Sequence, residues 1–171
     1  VTSVSPNVGP LGGSQPVTIS GTGFASGVTS VTFGGSPATG VSVVGATTLT
    51  AYTPAAAAAG AVTVAVTTAY GTGSLAAGYT YVAAPTITQV APDAGPTSGG
   101  TVVTITGSNF VAGSTSVMFN QASATGVNVT DDSTLTAVTP AGSGSVSVGV
   151  STPGGSAMLA SAYTYRLAPT V

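Results

Sequence analysis

The stretch Pro92–Phe110, PDAGPTSGGTVVTITGSNF, decides the reading of this chain because it occurs twice. Its earlier copy is Pro6–Phe24, PNVGPLGGSQPVTISGTGF. Each copy leads from a Pro/Gly turn into an alternating apolar and polar run, then into a Gly turn closed by Phe. Working outward, residues 1–54 align without a gap with 87–140. Val17-Thr18-Ile19 falls on Val103-Thr104-Ile105, Ser30-Val31-Thr32-Phe33 on Ser116-Val117-Met118-Phe119, and Thr48-Leu49-Thr50-Ala51 on Thr134-Leu135-Thr136-Ala137. After Pro54 and Pro140 the later copy is shorter, with Ala141–Gly144 in place of Ala55–Gly60. The copies then rejoin, Val62-Thr63-Val64 on Val146-Ser147-Val148 and Tyr79-Thr80-Tyr81 on Tyr163-Thr164-Tyr165. A length change confined to one small-residue segment marks a surface loop.

Within a copy the period is two. Val17 and Ile19 alternate with Thr18 and Ser20, and Val62, Val64 and Val66 alternate with Thr63 and Ala65. This is the pattern of strands with one dry and one wet face. Gly, Pro or Ser punctuates the chain every 8 to 12 residues or so, as in a sandwich or barrel. The pattern predicts strands near 2–5, 16–21, 29–34, 39–44, 48–53, 61–68 and 78–82. In the second copy it predicts them near 87–91, 102–107, 115–120, 125–130, 134–139, 145–151 and 162–166. The five alanines Ala55–Ala59 favour helix but are too few to nucleate one, so they read as a loop with no more than one helical turn. The fold class is all-β, in two domains, 1–84 and 85–171. The link Val82-Ala83-Ala84-Pro85 is short and holds a proline, which predicts limited swing between them.

The chain finishes Ala168-Pro169-Thr170-Val171, which repeats Ala84-Pro85-Thr86-Ile87. Residues 168–171 therefore resemble the start of a further repeat. Three readings stay open: a window of a longer tandem array, subunits that follow head to tail, or a boundary without meaning for assembly.

Composition excludes much chemistry. Charged residues make up 2 % of the 171, against about 25 % in an ordinary soluble domain. There is no Lys; Arg166 is the single cation, and Asp93, Asp131 and Asp132 are the acids. Apolar residues at 43 % supply a core, and a chain neither very polar nor highly charged does not fit the disordered class. With no Cys and no His, disulfides, thiol nucleophiles, imidazole bases and zinc sites built on these ligands are absent. No basic run serves a phosphate backbone, so no nucleic-acid partner is expected. No apolar run reaches the roughly 20 residues of a membrane span. The Thr/Ser/Gly exterior and the lack of Lys point to an extracellular or cell-surface location.

The motifs Ile-Thr-x-Val-x-Pro, Gly-Pro-x-x-Gly-Gly, Val-Thr-Ile-x-Gly-x-x-Phe, Val-x-Phe, Leu-Thr-Ala-x-Thr-Pro and Tyr-Thr-Tyr run in this order from Ile87 to Tyr165. They resemble the IPT/TIG immunoglobulin-like domain, and the resemblance covers nearly the whole chain twice. The first copy departs at Leu11-Gly12-Gly13 and Gln15-Pro16. The resemblance implies two tandem β-sandwiches with Greek-key connections. The family occurs in bacterial surface proteins and adhesins, plexin-type ectodomains, accessory domains of starch-acting enzymes and Rel-like transcription factors. The last bind DNA through basic loops, and those loops are not basic here.

Each candidate site has a plainer competitor. Gly9–Gly13 and Gly21–Gly23 lack the helix and Lys of a phosphate cradle and read as turn glycines. Asp131-Asp132 offers too few oxygens for calcium and no second placed carboxylate for glycoside hydrolysis. The first copy has Gly45-Ala46 there, so a solvated turn is expected. Tyr79, Tyr81, Tyr163 and Tyr165 are candidate glycan contacts, competing with a core edge that leaves one ring exposed. Asn128-Val129-Thr130 makes Asn128 a candidate N-glycosylation acceptor. No catalytic residue, metal or cofactor is expected. Edge strands are usually guarded by charge, Pro or bulges, and this chain has almost no charge to use. The expected function is therefore a non-enzymatic structural unit of a surface fibre, filament or stalk. Its partners are identical or neighbouring Ig-like domains, with surface glycans as the alternative for an adhesin or carbohydrate-binding module.

Overall fold

The computed structural model describes residues 1–24 and 28–167, with only the backbone described at 28 and 29. The further repeat expected at 168–171 lies outside the described residues. The chain divides into two units, Val1–Ala83 and Ala84–Val171.

The first unit is built from β1 (Ser3–Ser5), β2 (Val8–Pro10), β3 (Pro16–Ser20), β4 (Val28–Phe33), β5 (Ser36–Pro37), β6 (Thr39–Gly45), β7 (Thr48–Tyr52), β8 (Gly60–Thr68) and β9 (Gly71–Val82). A four-stranded sheet runs β1-β3-β7-β6 and faces a five-stranded sheet, β2-β9-β8-β4-β5. Alternation decides which side chains meet between them. Val17 and Ile19 of β3 and Leu49 and Ala51 of β7 point inward against Val31, Phe33, Val64, Val66, Tyr79 and Tyr81 of the other sheet. Fully burying each large aliphatic side chain is worth about 1.5–3 kcal/mol, so these interdigitated rows are what hold the sheets together. The entering segment joins both sheets. β1 pairs antiparallel with β3, and β2 then pairs parallel with β9.

The second unit repeats this with β10 (Thr86–Ala91), β11 (Ala94–Pro96), β12 (Val102–Ser108), β13 (Ser116–Phe119), β14 (Ala122–Ser123), β15 (Thr125–Asp131), β16 (Thr134–Val138), β17 (Gly144–Thr152) and β18 (Gly155–Arg166). Its sheets run β10-β12-β16-β15 and β11-β18-β17-β13-β14. Val103, Ile105, Leu135, Val148, Phe119 and Tyr163 are among its buried core.

The differences from the expected strands have physical causes. β2, β5, β11 and β14 match no expected strand, because two or three residues, ending in proline in β2, β5 and β11, carry no alternation. β9 and β18 begin seven residues earlier than the predicted starts at 78 and 162, at Gly71 and Gly155. Gly71–Ala77 is mostly small and holds one large apolar residue, Leu75, so the pairing with β8 is not written in its pattern. Ala55–Ala59 is the expected loop, and the single helical turn allowed for it does not form. The Ala56 N–H donates to the Leu11 carbonyl at 2.8 Å and Ala56 packs on the core, so loop tethering prevails over helix propensity.

Candidate functional site

The tyrosines expected to offer a sugar platform do not. Tyr79, Tyr81, Tyr163 and Tyr165 are all buried. Two-residue spacing puts both rings of each pair on the inner face of the last long strand, where they pack edge to face. The Tyr79 and Tyr81 centroids lie 4.9 Å apart at 71°, and Tyr163 and Tyr165 5.0 Å apart at 74°. Phe33 and Phe119 extend the clusters, each 5.3 Å from the neighbouring tyrosine. No ring is left exposed for stacking; the rings belong to the core, as the competing reading had it, but without the one exposed ring it allowed.

Their hydroxyls serve the fold. Tyr81 donates to the Pro54 carbonyl at 2.7 Å, and Tyr165 to the Pro140 carbonyl at 2.7 Å. Burial raises the Tyr81 phenol from its ordinary 10.0 to about 12, with a contribution from Tyr79 nearby. Burial likewise raises Tyr79 and Tyr165.

The acidic turn is explained locally. The Ser133 N–H and hydroxyl donate to Asp131 Oδ1 at 2.9 and 2.6 Å, which holds this exposed carboxyl below its ordinary range. Phe110 N–H donates to the Asp132 carbonyl at 2.9 Å, and in the first unit Phe24 N–H does the same to Ala46 at 2.9 Å. The fold thus uses the backbone there and is indifferent to the side chain. Among the described residues no group of three or more His, Cys, Asp or Glu could hold a metal ion. No helix among them is long and apolar enough to cross a membrane. Asn128 is exposed on the edge strand β15, on the same wet face as Thr130.

The sheet edges are guarded almost without charge, Asp131 at the end of β15 being the exception. β1 has three residues, β2 and β11 have three and end in proline, and β5 and β14 have two. The longer edges β6 and β15 each carry two register shifts, and β10 carries one. Short edges, proline and bulges all block strand addition. With the edges so closed, the sheet faces are the broad exposed surfaces.

Those faces are ladders of hydroxyls. On the four-stranded sheet of the first unit, Ser5, Thr18, Thr50 and Ser42 stand in register across the four strands. In the second unit Ala91, Thr104, Thr136 and Asn128 form the matching row, with Gln89, Thr106, Thr134 and Asp131 beside it. All four charged side chains of the protein lie in the second unit; the first carries none. Chemically this exterior offers hydroxyls, amides and backbone, and scattered apolar side chains.

The geometry defines a class: tandem immunoglobulin-like sandwiches with aromatic pairs locked inside and neutral faces outside. The chain belongs to the IPT/TIG domain family, whose model matches residues 1–81 and 85–166. The extracellular region of plexin A4, domains 1 to 10, is similar with a TM-score of 0.62 at 25 % identity, over 99 % of this chain and 16 % of that one. A second plexin A4 structure, with domains 1 to 8, gives 0.57 at 23 % identity over 96 % and 18 %. SGBP-B from a complex xyloglucan utilization locus in Bacteroides uniformis gives 0.46 at 22 % identity over 96 % and 49 %. The chain thus spans well under a fifth of the plexin ectodomain. A search of the curated proteins finds no match.

Proposed function

We propose that this chain is a non-enzymatic structural segment of an extracellular protein, a repeat unit of a surface fibre, filament or stalk that associates through its sheet faces. The observation that carries this is a folded unit, Val1–Ala83, without one charged side chain. A surface of net charge near zero promotes association, and ordinary monomers avoid it. Ser and Thr ladders suit such contacts, because their hydroxyls can pair with one another when water leaves. Sedimentation velocity over a concentration series, with electron microscopy of the concentrated sample, tests the reading. Growing oligomers or filaments are expected; a monodisperse monomer at high concentration overturns it.

A separate observation favours glycan binding as a second reading, at a place other than the tyrosine platform. An open depression of about 610 Å³ in the second unit has Asn120, Gln121 and Ser143 among its lining residues, with the largely buried Tyr165 at its floor contributing no exposed ring. Side-chain amides and a hydroxyl at an open depression suit the hydroxyls of a sugar. Gln121 falls on Gly35 in the first copy, so the first unit lacks this amide. A glycan-array signal lost in Gln121→Ala supports this reading, and silence across the array removes it.

A further inference from the structure

The two units differ sharply at one row of the five-stranded sheet. In the second, Met118 of β13, Gly149 of β17 and Met158 of β18 stand in register on the outer face. The first unit has Thr32, Ala65 and Ser74 at these positions. The two flanking residues have become large and apolar while the central one has no side chain, so a groove opens between two thioethers. These are the only methionines in the chain. Met158 is 74 % and Met118 38 % exposed. The groove holds about 350 Å³ and is rimmed by Asn120, Ser147, Ser151 and Ser156. A closed apolar cavity of about 150 Å³ already accommodates a benzene ring, so size admits an aromatic side chain. Flexible, polarizable methionines also make favourable contacts with aromatic rings.

The first unit displays a ring at the opposite extreme of exposure. Tyr70 is 93 % exposed, at the two-residue tip Ala69-Tyr70 between β8 and β9. The tip is braced below it. Tyr70 N–H donates to Thr68 Oγ1 at 3.2 Å, the Thr68 hydroxyl donates to the Gly71 carbonyl at 3.2 Å, and the Thr67 and Thr72 hydroxyls lie 2.9 Å apart. The bracing fixes the backbone of the tip, so docking has to order chiefly the ring's own side-chain torsions. In the second copy Gly154 takes its place.

We infer that Tyr70 of one copy docks between Met118 and Met158 of a second copy, over Gly149. This rests on the self-association proposed above and names its contact. No charge opposes the approach, because the first unit has none and the groove is rimmed by Ser and Asn. The contact joins two different surfaces, so it is head to tail and does not close on itself by necessity, as a filament requires. One tyrosine buries about 150–250 Å², well below the roughly 1,200 Å² of a stable interface. The ring is therefore the anchor, and neutral faces around it supply the remaining area.

The test uses Tyr70→Ser and the pair Met118→Thr with Met158→Ser, all at exposed positions, the pair restoring the first unit's residues. Sedimentation of each variant alone is expected to show association weakened more than about tenfold, as for a buried aromatic anchor. An equimolar mixture of the two variants retains one intact ring and one intact groove, and is expected to give dimers and nothing larger. Hydrogen peroxide, which transfers one oxygen to each thioether sulfur and leaves water, is expected to act like the methionine pair; there is no Cys or Trp to complicate it. If the parent chain associates and the variants associate equally, this contact is wrong while self-association stands. If the parent chain stays monomeric, self-association itself fails and the contact with it.

Discussion

The Tyr81 hydroxyl donates to the Pro54 carbonyl at 2.7 Å, tying the last strand of the first unit to the loop that leaves β7. Gly13 lies against the same carbonyl with φ +67, and a Cβ on it would run into the Pro54 backbone. Tyr165, Pro140 and Gly99 repeat the arrangement, Gly99 with φ +74. Tyr81→Phe is expected to destabilise the first unit by about 1 kcal/mol, the net worth of one hydrogen bond. Gly13→Ala should cost more, because it combines a left-handed backbone with a backbone clash. Urea unfolding read as two transitions checks both, and only the transition of the first unit should move.

The other tyrosine of each pair separates the units. Tyr79 donates to Gln15 Oε1 at 3.3 Å. Tyr163, at the matching position, is buried with its hydroxyl lacking a partner among the described residues, since Thr101 stands where Gln15 does. An unpaired buried hydroxyl costs about 1–3 kcal/mol. Tyr163→Phe should therefore be neutral or stabilising, whereas Tyr79→Phe should destabilise. Thermal melting of the two variants side by side decides this, and equal losses would refute it.

Stability should barely respond to acid in the first unit and should fall in strong base. No carboxylate there can be protonated. Tyr81 titrates at about 12 when folded against 10.0 ordinarily, so above pH 10 the unfolded chain releases its proton first. The unfolded state then binds fewer protons than the folded one, and stability declines between pH 10 and about 12. In the second unit Asp131 is held below its ordinary range, so its contribution is present above that range and fades as pH falls through the acid region. Melting curves across pH should show the alkaline decline in both units, because burial also raises Tyr165, and an acid decline in the second alone.

Association through neutral faces should also ignore salt. Screening weakens only interactions between charges, and the first unit has none to screen. Sedimentation in dilute and in about 1 M sodium chloride should give the same or slightly tighter association, and sulfate should tighten it further. Dissociation by added sodium chloride would count against neutral contacts.

The duplication, the all-β class and most strands could be read from the residues, because a half-buried strand writes its own alternation: Val17, Ile19, Val64 and Val66 were all legible on the dry face. The short edge β2 and the early start of β9 could not, because Val8-Gly9-Pro10 and Gly71–Ala77 have no period to read. The tyrosine pairs misled for a related reason. Spacing of two says that both rings share a face and does not say which face. The contact row Met118-Gly149-Met158 comes from three strands, up to 40 residues apart in sequence, so only strand register brings it together.

The residues alone determined that two like β-modules stand in tandem and that the first bears no charged side chain, since both follow from repetition and composition. Only the tertiary structure decided that the rings of Tyr79, Tyr81, Tyr163 and Tyr165 face inward, that proline, shortness and bulges close the edges, and that Tyr70 stands out in water. The reason is that exposure belongs to neighbours across a sheet, and those neighbours are set by pairing register between distant strands rather than by order along the chain.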